Sequence, residues 1–156
     1  MLQSTITSPL GTILITANDE AITSIWFEES EVISTSSSKL IDEAVKQLME
    51  YFSGIRKTFD LPLAPDGTEF QKKVWNSLLD IPYGKTVSYL DVSRKIGDEK
   101  AIRAVGMANG KNPISIVIPC HRVIGSDGKL TGYGGGLWRK EWLLRHERKD
   151  EDLMLL

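Results

Sequence analysis

The 156-residue chain holds one cysteine, Cys120, and two histidines, His121 and His146. Cys120 lies in the run Pro119-Cys120-His121-Arg122-Val123. A lone cysteine most often behaves as a small buried hydrophobe. Its neighbours supply a second reading. Attack on carbon needs the thiolate, and a free thiol titrates near pKa ~8.5, so a base or cation must help at neutral pH. His121 can take the proton directly or through a water. A carboxylate such as Glu147 can orient the imidazole and stabilise it once charged. Adjacent side chains often diverge, so sequence leaves open whether thiol and imidazole meet.

The elements that must position these groups fall into two halves of opposite charge. Residues 1–67 carry four basic and ten acidic side chains, residues 68–149 fifteen and eight, and the last seven residues three acids and no base. A basic half is what a phosphate-binding surface requires, although charges also segregate by chance or to hold domains together. The composition, 41% hydrophobic and 26% charged, is that of a globular protein. The apolar runs, such as Ile114 to Ile118, are too short to span a bilayer, and Met1-Leu2-Gln3-Ser4-Thr5 lacks the marks of a signal peptide. A single thiol cannot form an internal disulfide. These features predict a cytoplasmic protein with no membrane partner.

Short strands are expected over Ser4–Thr7, Thr12–Thr16 and Ile22–Phe27, turned at Pro9-Leu10-Gly11 and Asn18-Asp19-Glu20, giving a small antiparallel meander. A serine-rich loop, Ser34–Ser38, leads into an amphipathic helix from Leu40 to Phe52 with Leu40, Ala44, Leu48 and Tyr51 on one face. Pro62 to Gly67 reads as the linker. Thr68-Glu69-Phe70-Gln71 has the capping-box pattern and opens a helix lined by Phe70, Val74, Leu78 and Ile81. Ser88–Asp91 opens a second, stopped by Gly97, and Lys100 to Asn109 forms a third. The last two fit a helix-turn-helix, a pattern shared with purely structural helical hairpins. Ala101–Ala108 is almost free of base-reading polar side chains, and Arg103 is its one long cation. Such a helix either packs against a neighbour or presses into a groove with Arg103 wedged into the base stack. Ile114–Ile118 reads as a buried strand before Cys120.

These residues resemble the O6-alkylguanine-DNA alkyltransferase family. The resemblance is carried by Pro119–Val123, by Asn112-Pro113 before it, by Arg103-Ala104-Val105-Gly106, by Tyr133 with its glycine run, and by Lys140-Glu141-Trp142-Leu143-Leu144-Arg145-His146-Glu147. It runs from about Phe70 to Glu147, while residues 1–67 resemble the family's N-terminal domain only loosely. It implies an α+β protein. A small antiparallel-sheet-plus-helix domain, ribonuclease-H-like, covers residues 1–66. A mainly helical DNA-binding domain with a helix-turn-helix covers residues 67–149, and residues 150–156 are an acidic tail.

The implied activity is stoichiometric, irreversible transfer of an alkyl group from O6-alkylguanine in double-stranded DNA to a cysteine, with O4-alkylthymine an open second substrate. By resemblance Cys120 is the alkyl acceptor, His121 the water-linked base, Glu147 its orienting acid, and Asn112 the brace before the active-site segment. Tyr89 helps rotate the nucleotide out and Arg103 fills the space. The Cys120 and Val123 carbonyls accept from the guanine amino group, Tyr133 and Gly134 belong to the loop over the base, and Ser126 contacts phosphate. Arg122 is expected to tie the segment to an acid of the N-terminal domain. The family also implies a monomer that uses no cofactor. Two departures stand out. Glycine at position 134 lacks the hydroxyl of relatives with serine there, and the absence of Cys or His before Cys120 excludes the N-terminal zinc site some relatives have.

Three other readings compete. A damage sensor would bind alkylated bases without chemistry, but related sensors carry another residue at the cysteine position. A helix-turn-helix regulator would need polar base-reading residues on Ala101–Ala108. A thiol hydrolase would turn over, and nothing in the sequence points to an acyl substrate.

Overall fold

A computed structural model describes residues 2–29 and 38–148. Most of the serine-rich stretch and the acidic tail lie outside the described residues. The described chain divides into two units, one of residues 1–66 with 113–115 and one of 67–112 with 116–156.

The first unit is an antiparallel three-stranded sheet with one helix. Strands β1 (Leu2–Ser8), β2 (Gly11–Ala17) and β3 (Ile22–Phe27) lie in sequence order, with Thr5 opposite Leu14 and Ile15 opposite Ile25. Alternation puts Ile13 and Ile15 of β2 on one face, fully buried, as strand period two demands. Helix α1 (Lys39–Phe52) begins at Ser38, whose side chain accepts the Ile41 N–H, a standard N-cap. Its buried stripe is Ile41, Ala44, Leu48 and Tyr51. Leu40, expected in that stripe, is only half-buried, and Ile41, three residues before Ala44, takes the place. The far edge of β3 is covered at two points. Pro62 and Ala64 bond Ile22, so part of the expected linker runs beside the sheet, and Pro113 and Ser115 bond Ile25.

The second unit is mainly helical. Helix α2 (Glu69–Leu78) starts with a reciprocal capping box between Thr68 and Gln71, and α3 (Tyr89–Lys95) with one between Ser88 and Asp91. Helix α4 (Ile102–Gly110) starts two residues later than its sequence pattern suggests and has no side-chain cap, since Ala101 occupies the N-cap position. Helices α2, α3 and α4 pack on one another, with Trp75 Nε1 donating to the Ala108 carbonyl at 2.8 Å. A two-residue parallel pair joins β4 (Val87–Ser88) to β5 (Val123–Ile124). Helix α5 (Leu137–Glu147) closes the unit.

Ile114–Ile118 is not a strand. Only Ile114 makes a bridge, and Ile116 adopts φ +74°, a left-handed conformation that a β-branched residue rarely takes and that reverses the chain. The apolar run that suggested a strand reflects burial instead: Ile114, Ile116, Val117 and Ile118 are all buried.

Candidate active site

The chemistry-bearing residues of the second unit gather where the short turn Cys120–Arg122 meets α5. The turn is a single 3-10 turn: the Cys120 N–H donates to the Ile118 carbonyl, and the Val123 N–H donates back to that of Cys120. All three residues of the turn are buried, with Cys120 4% exposed and His121 fully enclosed. Helix α5 meets them with Lys140, Leu143, Leu144 and Glu147, spaced three, four and seven residues apart on one face.

Glu147 is the hub. Its Oε2 meets His121 Nε2 at 2.7 Å and Arg122 at 3.1 Å, and its Oε1 accepts from Arg122 Nε at 2.8 Å. The Gly84 N–H adds a long contact to Oε1 at 3.4 Å. Gly84 has φ +79°, and a Cβ there would sit 3.2 Å from the Glu147 carbonyl, so a side chain at this position would be strained. Arg122 also donates to the Ile81 carbonyl and lies 5.8 Å from the centre of the Tyr83 ring. The expectation that Arg122 reaches an acid of the N-terminal domain is thus corrected. Its acid is Glu147, which the helical phase of α5 turns inward.

Burial alone would raise the Glu147 carboxyl, but His121 and Arg122 hold it well below the usual carboxylate range. Burial lowers His121, against the pull of Glu147, so the imidazole is neutral at physiological pH. With Nε2 facing an ionised carboxylate, the ring proton sits on Nε2 and Nδ1 is the basic nitrogen. Nδ1 has no hydrogen-bond partner among the described residues. It is the atom available to receive a proton.

Burial pushes the Cys120 thiol up to about 11, although a hydrogen bond with the Asn112 side chain and the nearby Lys140 charge both pull it down. Asn112 is buried, and its Nδ2 also donates to the Ile118 carbonyl at 2.8 Å, bracing the chain just before Pro119. Lys140 was not singled out from sequence. Fully buried, it donates to the Val123 and Thr131 carbonyls at 2.7 Å each, and burial lowers it to about 8. Its signal was present: a lysine in phase with Leu143, Leu144 and Glu147 belongs to the buried face of α5.

The remaining predicted residues sit around this centre. Tyr89, the first residue of α3, meets Thr131 Oγ1 through its hydroxyl at 2.8 Å. Its ring lies 3.9 Å from where a Cβ on Gly106 would stand, so a small residue there lets α3 and α4 approach. Arg103 is exposed near the start of α4, beside Ile102 and Met107, which are also exposed. Tyr133 is buried and Gly134 exposed in the loop before α5, and Gly136 turns that loop into the helix with φ +96°. Ser126 is exposed in the turn closed by Gly125 and Lys129. The Val123 carbonyl already accepts from Lys140, and that of Cys120 from Asn109 Nδ2 at 3.2 Å.

A family model described as the 6-O-methylguanine DNA methyltransferase DNA binding domain matches residues 69–149, and one for the ribonuclease-like domain of the same enzyme matches residues 1–65. The chain belongs to the O6-alkylguanine-DNA alkyltransferase family. A methylated-DNA–protein-cysteine methyltransferase of Methanosarcina barkeri is 48% identical over 96% of this chain and 99% of its own. The crystal structure titled Mycobacterium tuberculosis OGT in complex with DNA is 47% identical, with a TM-score of 0.86 over 93% of this chain and 91% of that one. An O6-methylguanine DNA methyltransferase of Methanococcus jannaschii is 30% identical, with a TM-score of 0.68 over 93% of each chain. The α+β architecture read from sequence is the family's. No helix among the described residues is long and apolar enough to cross a membrane.

Proposed function

We propose that this alkyltransferase repairs double-stranded DNA directly, moving a methyl or other alkyl group from the O6 of a flipped guanine onto Cys120, once per molecule. The observation that carries the reading is the buried Cys120 in the same turn as a neutral His121 whose Nε2 is bound to Glu147.

At a pKa of about 11, roughly one thiol in 10⁴ is ionised at pH 7, so the proton must leave as the reaction proceeds. It passes from Cys120 to His121 Nδ1 through a water, and Glu147 stabilises the resulting imidazolium. The sulfur lone pair forms the S–C bond as the C–O bond breaks, and the electron pair leaves on the guanine oxygen. A proton donated by Tyr89 or a neighbour then completes neutral guanine. The thioether has no S–H to ionise, so the nucleophile is spent.

Helices α3 and α4 act as the helix-turn-helix, with Arg103 in the space left by the flipped base and Tyr89 beside its phosphate. Tyr133 and Gly134 cover the base, the Val123 carbonyl faces its amino group, and Ser126 contacts the backbone. No cofactor is required. The protein acts as a monomer in a reducing compartment, the cytoplasm, where its thiol stays free.

The test is to incubate the protein with a duplex carrying O6-methylguanine and weigh the Cys120 peptide. A gain of one methyl group, at no more than one per protein, is the expected result. An unmodified peptide despite bound DNA would show a sensor instead. Arg103→Ala should slow repair of duplex far more than reaction with free O6-benzylguanine; equal losses remove Arg103 from the proposed role.

A further inference from the structure

Thr131 is exposed on the loop between β5 and α5, yet it is held at two points. Its carbonyl accepts from the buried Lys140 Nζ, which also donates to the Val123 carbonyl. Its Oγ1 meets the Tyr89 hydroxyl at 2.8 Å. Tyr89 is anchored to the same place, because the two residues before it, Val87 and Ser88, pair with Val123 and Ile124. Both hydroxyls are thus fixed, by separate routes, to the segment that follows the Cys120–Arg122 turn. An exposed hydroxyl pair left to itself exchanges for water at little cost. Anchoring both partners removes that freedom and pre-organises the pair.

Either hydroxyl can be the donor in this bond. With Tyr89 as donor, its proton points at Thr131 and away from any base. With Thr131 as donor, Tyr89 keeps its O–H for a second partner. The proposed alkyl transfer calls for the second arrangement. As the C–O bond breaks, guanine leaves with the electron pair. The Tyr89 O–H bond then breaks, its proton goes to guanine, and a phenolate remains until water reprotonates it. A phenolate oxygen is stabilised by a donor already in place. We infer that Thr131 is a positioning residue: its hydroxyl donates to the Tyr89 oxygen, directs the phenol O–H at the leaving guanine and steadies the phenolate that follows. This rests on the proposed alkyl transfer and adds to it a residue that acts through Tyr89.

The test compares single-turnover transfer to Cys120 from O6-methylguanine and from O6-methyl-8-azaguanine in the same duplex. The aza base is the more acidic leaving group and departs with less need of a proton. Thr131→Val keeps the shape and removes the hydroxyl. It should slow transfer from O6-methylguanine roughly ten-fold, the worth of one hydrogen bond to a charged group, and transfer from the aza base distinctly less. Thr131→Ala should do the same should the valine variant not fold. Thr131→Ser, which retains the hydroxyl, should keep most of the rate. Tyr89→Phe should slow transfer from O6-methylguanine at least as much, and adding Thr131→Val to it should change nothing further. An equal effect of Thr131→Val on the two bases, or none on either, overturns the inference and leaves Thr131 a tie for the loop. So does a Thr131→Val effect that persists undiminished in the Tyr89→Phe protein. If neither base places a methyl on Cys120 of the unsubstituted protein, the alkyl transfer itself has failed and this inference falls with it.

Discussion

In the first unit the innermost side chains include Leu10, Ile13, Ile15, Ile22, Ile25, Leu48 and Tyr51, and the buried polar ones, Thr16, Gln47 and Ser115, are neutral. The second unit has an apolar core too, around Val74, Trp75, Leu78 and Val105, but it also encloses His121, Arg122, Lys140 and Glu147. Apolar burial stabilises at about 25 cal/mol per Å² and requires no partner. Enclosing ions costs several kcal/mol each unless every charge is met by another or by a hydrogen bond. The first unit is thus built for stability, while the second gives some up to hold a thiol, a base and their counter-charges in place. Shifted ionisable groups concentrated in one enclosed cluster are the physical mark of a reactive site.

The contrast can be broken most severely at Cys120. Cys120→Ala should abolish alkyl transfer in the mass-spectrometric assay and leave the thermal melt nearly unchanged, since the thiol is small and the change modest. Loss of folding would instead make Cys120 a core residue first.

Glu147→Ala comes next. It leaves Arg122 and His121 enclosed without their carboxylate and should cost about 3–5 kcal/mol in urea unfolding, together with most of the transfer rate. The matched change in the first unit is Glu50→Ala, which removes the partly exposed pair with Arg56 (3.1 Å) and should cost less than about 1 kcal/mol. Similar costs for the two would erase the distinction between the units. Leu48→Ala, in the buried stripe of α1, should also cost about 2–5 kcal/mol, yet leave the transfer rate per folded molecule intact.

Acid should act on the same cluster. Glu147 is lowered from 4.5, so its contribution is complete above that pH and is lost as pH falls toward its lowered value. His121 is lowered from 6.5; enclosed in its neutral form, it favours the fold fully above that pH and opposes it below. Urea midpoints should therefore fall steadily from pH 7 to pH 4, and Glu147→Gln should flatten the part below 4.5. A midpoint independent of pH over that range would contradict the assignment.

The smallest effect is electrostatic. Cys120 should titrate near 11, followed by thiolate absorbance, and Lys140→Met should move it further up by removing the cation that now pulls it down. An unmoved titration would show that Lys140 serves only the Val123 and Thr131 carbonyls.

Much of this was legible in order along the chain. The capping box at Thr68, the helix start at Ser88–Asp91 and the strand alternation of β2 follow from local rules that need no tertiary partner. The errors arose where local rules met a competitor. Ile114–Ile118 looked like a strand because burial and strand propensity draw on the same residues, and the reversal at Ile116 has no sequence mark. Arg122 was assigned to the wrong acid because opposite charge says nothing about direction.

Sequence by itself determined which reactive groups exist: one thiol, a histidine beside it, a basic second half, and a family pattern strong enough to name the reaction. Residue type sets what a side chain can donate, accept or attack, and that needs no fold. Tertiary structure alone decided how those capacities are spent. Helical phase turned Lys140 and Glu147 toward the same turn, and enclosure raised the thiol and lowered the imidazole. Proton affinities and hydrogen-bond vacancies depend on distance and solvent exclusion, and both come into being only when residues far apart in the chain are packed together.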